Sequence, residues 1–159
     1  MTAARRAGPD DAAAVVELRA AMYRALGDDP GPPEAPWRAA ALAWFTRNLA
    51  SDGRAAVFVV DGPDGRPVAC AMGLLEAWAP SPTNPSGLRG HVSQVSTAEP
   101  YRRRGYARAC LTALLAWFQT ETDSRIIDLH ASGEGETLYR SLGFRDAPFP
   151  ALRFTRPPA

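Results

Sequence analysis

The stretch Glu99–Cys110, EPYRRRGYARAC, sets three consecutive arginines, Arg102, Arg103 and Arg104, against one glycine, Gly105, and then reads as helix. A helix start already offers unpaired N–H groups and the positive end of the helix dipole. A phosphate or pyrophosphate placed there satisfies both. Gly105 lets the backbone come close to such an anion, and Ala107 keeps the next position small. Arginine side chains add charge-assisted bonds from the flank. The competing reading is a solvated surface patch, which is what most charge runs are. The elements around the run have to decide between the two.

Those elements follow from pattern. Ala3 to Ala7 reads as a short strand, and Gly8-Pro9-Asp10-Asp11 as a helix start, with proline and carboxylates at the positive end of the dipole. Val15, Leu18, Met22 and Leu26 recur at helical spacing until Gly27. The proline-rich Asp28 to Pro36 excludes regular structure. A second helix is expected from Trp37 to Leu49, with Trp37, Ala41, Trp44, Phe45 and Leu49 along it, then a turn at Asp52-Gly53. The run from Ala55 to Trp78 reads as a β-hairpin with Gly62 to Gly65 at its tip, and Ala79 to Gly90 as a second proline-rich loop. His91 to Thr97 is a strand, Arg104 to Thr120 a helix, Arg125 to Ala131 a strand, Glu134 to Leu142 a short helix, and Phe144 to Phe154 a pair of closing strands. This order predicts an α/β fold, a mixed central β-sheet with helices on both faces. The arginine run therefore lies between a strand and an amphipathic helix, where an anion site belongs.

Composition narrows the function. At 159 residues the chain is most simply one domain, 1–159, with room for a proper core. A net charge of +1 argues against nucleic acid or an acidic membrane as partner. All 18 cationic residues are arginine, so neither a Schiff-base lysine nor a P-loop lysine is available. Cys70 and Cys110 are too few for a disulfide framework and fall at apolar positions, which suits core residues. With two scattered histidines they make no zinc spacing, and no metal is expected. The sequence shows no apolar signal region and no segment of membrane-span length, so a cytoplasmic location is the expectation.

Arg102-x-x-Gly105-x-Ala107, between its strand and its helix, resembles the Gln/Arg-x-x-Gly-x-Gly/Ala signature of the GCN5-related N-acetyltransferase (GNAT) superfamily. Downstream, ETLYRSLGF, Glu136 to Phe144, resembles that family's Leu-Tyr-x-x-x-Gly-Phe signature, and the element order fits over nearly the whole chain. The resemblance implies a GNAT fold with splayed strands at an acetyl-CoA site, and acetyl-CoA as cosubstrate. It implies that Arg102, Arg103, Arg104, Gly105, Tyr106, Ala107 and Arg108 hold the pyrophosphate, chiefly by main-chain N–H. Val95, Ser96 and Thr97 would hold the pantetheine, with the Val95 N–H as oxyanion donor, and Tyr139 would be general acid toward the thiolate. The family often has asparagine where this chain has Ser132, with a small residue, here Gly135, three positions on; serine offers the pantetheine arm a hydroxyl of shorter reach.

Acetyl transfer to an amine also needs the amine neutral, although alkylamines hold their proton up to about pH 10.4. His91 is one candidate base, since it corresponds in position to a glutamate used by histone-modifying members. It lies four residues before Val95, so both side chains share a face unless a bulge intervenes, as it often does in this strand of the family. The plainer reading of His91 is a capping or core histidine. Glu76 is the other candidate, ordered water the third, and His130 reads as structural. The acceptor is expected to be a small-molecule or peptide amine, held by the loop between the first two helices, the hairpin region and the last strands. Asp28, Asp29 and Glu34 beside Trp37, with Trp78 at a strand end, suit a cationic amine. Family members are often dimers, which makes a homodimer an expectation. The alternative function is a non-catalytic acyl-CoA-binding sensor, which would keep the arginine loop but need neither acid nor base.

Overall fold

The structure, a computed structural model, describes residues 2–50 and 53–159. Among them the strands form one mixed sheet in chain order: β1 (Arg5–Arg6), β2 (Ala55–Asp61), β3 (Pro67–Ala77), β4 (Leu88–Thr97) and β5 (Ile126–Leu129). Strands β1 to β4 run antiparallel to their neighbours, and β5 joins β4 in parallel. A parallel neighbour needs a crossover, and helix α3 (Tyr106–Glu121) supplies it. Helices α1 (Ala12–Ala25) and α2 (Pro36–Leu49) cover one face of the sheet, α3 covers the other, and α4 (Glu136–Ser141) follows β5.

Two cores result. Val57 and Val59 of β2 pack with Val15, Leu18 and Phe45 from α1 and α2. Ala56 and Val60, alternate residues of the same strand, pack with Leu111, Leu114 and Phe118 of α3. Burial on both faces is why β2 and β3 read as continuous apolar runs rather than as alternation. At the edge, Arg5 donates to Asp61 (2.6 and 2.8 Å) and to Asp11 (2.9 and 2.8 Å), which ties β1 both to the end of β2 and to the 3₁₀ turn Pro9–Asp11 that opens α1. These bonds hold the Asp11 carboxyl below its usual range.

The strand that matters most for the site is β4. It pairs with β5 only from Arg89 opposite Ile126 to Val92 opposite Leu129, yet it continues to Thr97. On its other side the register with β3 shifts between Met72 and Gly73, leaving Ser93 as a bulged residue between Val92 and Gln94. The expected splay is therefore present, and the bulge sits where it opens.

Several elements differ from the sequence reading. β4 begins at Leu88 rather than His91, so the end of the expected Ala79–Gly90 loop is strand, paired with β3. Helix α3 begins at Tyr106 rather than Arg104, because Arg103 (φ 64°) and Gly105 (φ 80°) are left-handed and cannot belong to a right-handed helix. The expected closing strands over Phe144–Phe154 are not formed: among the described residues no regular element follows Ser141. Pro148 and Pro150 have no N–H to give a ladder, and Phe149, Leu152 and Phe154 stand 85%, 95% and 93% exposed. The Asp52 half of the expected Asp52-Gly53 turn lies outside the described residues.

The glycines of the sheet explain how α3 sits so close. A Cβ on Gly73 or on Gly90 would lie 2.6 Å from the Phe118 ring. Gly73→Ala should destabilise the fold by about 1–3 kcal/mol through overpacking, read as a lower urea midpoint. Adding Phe118→Leu should return part of the loss; a double variant worse than the sum of the singles would contradict this packing account.

Candidate active site

The arginine run emerges from β4 through a 3₁₀ turn at Glu99–Tyr101. Arg102 stays extended, Arg103 and Gly105 turn left-handed, and α3 starts at Tyr106 with no side-chain cap. The first intrahelical bond inside this turn is Ala109 N–H to Gly105 O at 3.0 Å. The N–H groups of Tyr106, Ala107 and Arg108 therefore have no helical acceptor. Alternating left- and right-handed residues before a helix make a concavity of N–H groups suited to anions. Residues 102–105 are exposed, and a Cβ on Gly105 would meet no atom within 4 Å, so the space in front of the turn is open.

The arginines surround that space unequally. Arg102 Nε donates to Thr97 O (3.2 Å) and Arg104 Nη2 to Pro100 O (3.1 Å), with the Arg104 guanidinium over the Tyr101 ring at 5.5 Å. Arg108 Nη2 donates to Ser141 Oγ of α4 at 2.8 Å. Each is thus bonded to a neutral partner, with no carboxylate neutralising it among the described residues.

Beside the loop lies the open edge of β4. Ala98 N–H donates to Val68 O on β3 at 2.8 Å. Period-two alternation then turns Ser96 toward β3 and the N–H groups of Val95 and Thr97 away from it, toward the gap that β5 has left. The Ser96 hydroxyl is spent inward, donating to Leu18 O at 2.7 Å. At the bulge the Ser93 hydroxyl is buried without a partner. A free strand edge and an uncapped helix start, joined by one short loop, fit a long ligand with an amide-bearing arm and a diphosphate.

Tyr139 is half-buried in α4, with its ring 6.0 Å from that of Phe144 and packed on the α3-side core. It lines a cavity of about 320 Å³ with Ile127, Leu129 and Arg140. Gly135 is required there, since a Cβ would lie 2.7 Å from the Tyr139 ring. Burial pushes the Tyr139 phenol above its ordinary value. Ser132 is exposed, and its carbonyl caps α4 by accepting from Gly135 N–H (3.0 Å) and Glu136 N–H (3.2 Å).

The two base candidates lie elsewhere. Val92 and Val95 both pack on the α3-side core, although three positions separate them, because the Ser93 bulge resets the alternation. His91 therefore faces the α1 side, opposite to Val95; period two fails across the bulge. Its ring is 5.6 Å from that of His130, which lies exposed just past β5. Glu76, on the same side as His91, accepts Trp78 Nε1 at 3.1 Å and stands opposite Arg89, whose guanidinium covers the Trp78 ring at 4.4 Å and reaches Asp128 at 3.4 Å. Trp78 is thus engaged by Arg89. Both thiols are buried, which pushes Cys70 up to about 11 and Cys110 to about 12, so neither is a nucleophile near neutral pH.

Two residues at the floor of the α1 face were not singled out by pattern: Arg19 and Gln94, bonded at 3.0 Å. Gln94 is one polar residue among several in β4, beside Arg89, His91, Ser93, Ser96 and Thr97, so no pattern marks it, and its partner lies in another element.

Known proteins share this chain's family and fold. A model of the acetyltransferase (GNAT) family matches residues 13–144. No curated protein sequence matches the chain. Among solved structures, a predicted acetyltransferase with acetyl-CoA from Clostridium acetobutylicum is similar at 21% identity, with 96% of each chain covered and a TM-score of 0.79. A GCN5-related N-acetyltransferase from Ralstonia eutropha JMP134 shares 25% identity over 97% of this chain and 99% of its own, with a TM-score of 0.78. An aminoglycoside N-acetyltransferase in complex with CoA shares 19% over 98% and 95%, at 0.71.

The raised phenol gives a direct check. In ultraviolet difference titration, the transition lost in Tyr139→Phe should lie above the ordinary 10.0. Because the folded state favours the protonated phenol, its contribution to stability is full below that value and is lost as pH rises through the elevated one. A missing transition at or below 10.0 would mean a solvated phenol.

Proposed function

Because the chain belongs to the acetyltransferase (GNAT) family, we propose that it is an acetyl-CoA-dependent N-acetyltransferase acting on a primary amine of a small molecule or a peptide. The observation that carries this reading is the uncapped start of α3, with its left-handed Arg103 and Gly105, set against the unpaired edge of β4. Acetyl-CoA supplies an activated acetyl group.

The chain's own residues supply the rest. The N–H groups of residues 105–108 and the flanking guanidiniums bind the pyrophosphate. The backbone of Val95 and Thr97 orients the pantetheine arm, and the Val95 N–H meets the negative charge that develops on the thioester oxygen. Tyr139, protonated at neutral pH like any phenol and raised further by burial, delivers a proton to the departing sulfur. His91 faces the α1 side, from which the acceptor approaches, and takes the proton of the ammonium directly or through water. Glu76 fits less well as base, because Trp78 already occupies its carboxylate. Direct attack by the amine needs no cysteine nucleophile and no metal.

Calorimetry with acetyl-CoA, followed by thiol release with an amine panel, tests the reading. Gly105→Glu should lose binding, since it puts a carboxylate in the open space before α3; Gly105→Ala carries the backbone strain without the charge and should bind measurably. Equal affinity in wild type and Gly105→Glu would refute the phosphate loop. Tyr139→Phe should lower turnover on the order of a hundredfold while changing CoA affinity little. An equal loss in both would make Tyr139 a packing residue. Tight binding without thiol release for any amine would favour the sensor reading.

A further inference from the structure

On the α1 face a cavity of about 420 Å³ is lined by Arg19 and Tyr23 of α1, by Asp28, Asp29 and Pro30 of the loop that follows, and by Trp37 of α2. Arg19 is oriented from beneath. Gln94 is 1% exposed, and its amide nitrogen donates to Val15 O and to Cys70 Sγ at 3.3 Å each. Its oxygen therefore faces Arg19, and accepts from Nη1 at 3.0 Å. Arg19 Nη2 donates to the Tyr23 hydroxyl at 3.0 Å. A guanidinium has five N–H donors, so these two bonds fix its plane and leave donors unspent.

No carboxylate among the described residues pairs with Arg19, although Asp28 and Asp29 line the same cavity. Asp29 is bonded instead to Gly31 N–H at 2.9 Å. The wall between them is aromatic: Trp37 stands edge-on to Tyr23 at 6.1 Å and is pinned by its N–H to Pro30 O at 2.8 Å. The cavity thus holds one positive and two negative groups that do not neutralise each other. A polyamine would have to lie against the Arg19 guanidinium. A dicarboxylate would have to lie against the two aspartates.

We propose that this cavity is the acceptor subsite and takes an amine that also carries a carboxylate, as an amino acid does. Arg19 holds the carboxylate through its free donors, the aspartates attract the ammonium as it arrives, and Trp37 and Tyr23 contact the apolar part. The carboxylate on Arg19 also adds a charge that the cationic-amine expectation, built on the acidic loop with Trp37 and Trp78, did not include. Gln94 directly precedes Val95, so the anchor is built on the strand that opens at the site. The assignment of the cavity as an acceptor subsite rests on the transferase reading; the charge preference does not.

The test is calorimetry on protein loaded with CoA, so that no turnover intervenes, with a panel of free amino acids, each beside its methyl ester and its decarboxylated amine. The best-bound amino acid should bind at least roughly tenfold more tightly than its ester, the scale of a charged hydrogen-bonded pair. Arg19→Met should remove that preference. Since Arg19→Met leaves the buried Gln94 oxygen without its donor, Tyr23→Phe serves as the second variant, and should reduce the preference several-fold with the Gln94 bond intact. Acid, ester and amine bound alike, tighter binding of the decarboxylated amine, or no binding by any of them would overturn the proposal. Preference for the acid with no thiol release from acetyl-CoA would overturn the transferase reading and leave the charge preference standing.

Discussion

The site depends on where β4 stops pairing. β5 accompanies it only to Val92, and the Ser93 bulge then shifts its register against β3. From there to Thr97 the strand is hydrogen-bonded on one side alone. Backbone groups inside a fold need partners, and from the arginine loop Arg102 reaches this edge, bonded to Thr97 O. The bulge does a second thing. By resetting the alternation it keeps Val95 on the α3-side core and sends Gln94 and Ser96 to the α1 side. One irregular residue thus separates the unpaired edge of β4 from the floor of the Arg19 cavity.

The charge at the helix mouth acts locally. With a net charge of +1 the chain has no long-range field to draw an anion in; what it has is geometry. Two left-handed residues turn the loop so that unbonded N–H groups and the dipole of α3 point at one space, and the guanidiniums of Arg102, Arg104 and Arg108 are held at its rim by carbonyl and hydroxyl partners rather than by carboxylates. Neutral tethers keep the charge available. The same device recurs at Arg19, where a buried glutamine and a tyrosine do the holding.

Much of this was legible in the sequence. The apolar residues Ala107, Cys110, Leu111, Leu114, Trp117 and Phe118 fall at helical spacing, which makes α3 legible, and all but Ala107 are buried. The position of the arginine run between strand and helix gave the loop. The closing strands were misread because Phe149, Leu152 and Phe154 look like strand residues, whereas the prolines between and before them deny the ladder its donors. The face of His91 stayed open in the sequence: it turns on a bulge, and a bulge depends on the register with β3, which a strand's own residues do not encode. Arg19 and Gln94 were missed for a related reason, since a long-range side-chain bond leaves no spacing to detect.

The most direct measurement is an amide nitrogen–proton NMR titration of the protein with CoA. The account predicts the largest shifts at Val95, Thr97 and Gly105 to Arg108, with Asp28, Asp29 and Arg19 little moved. Shifts confined to the arginine side chains and the surface around them, with Val95 and Thr97 unchanged, would contradict it, because the open edge of β4 would then bind nothing.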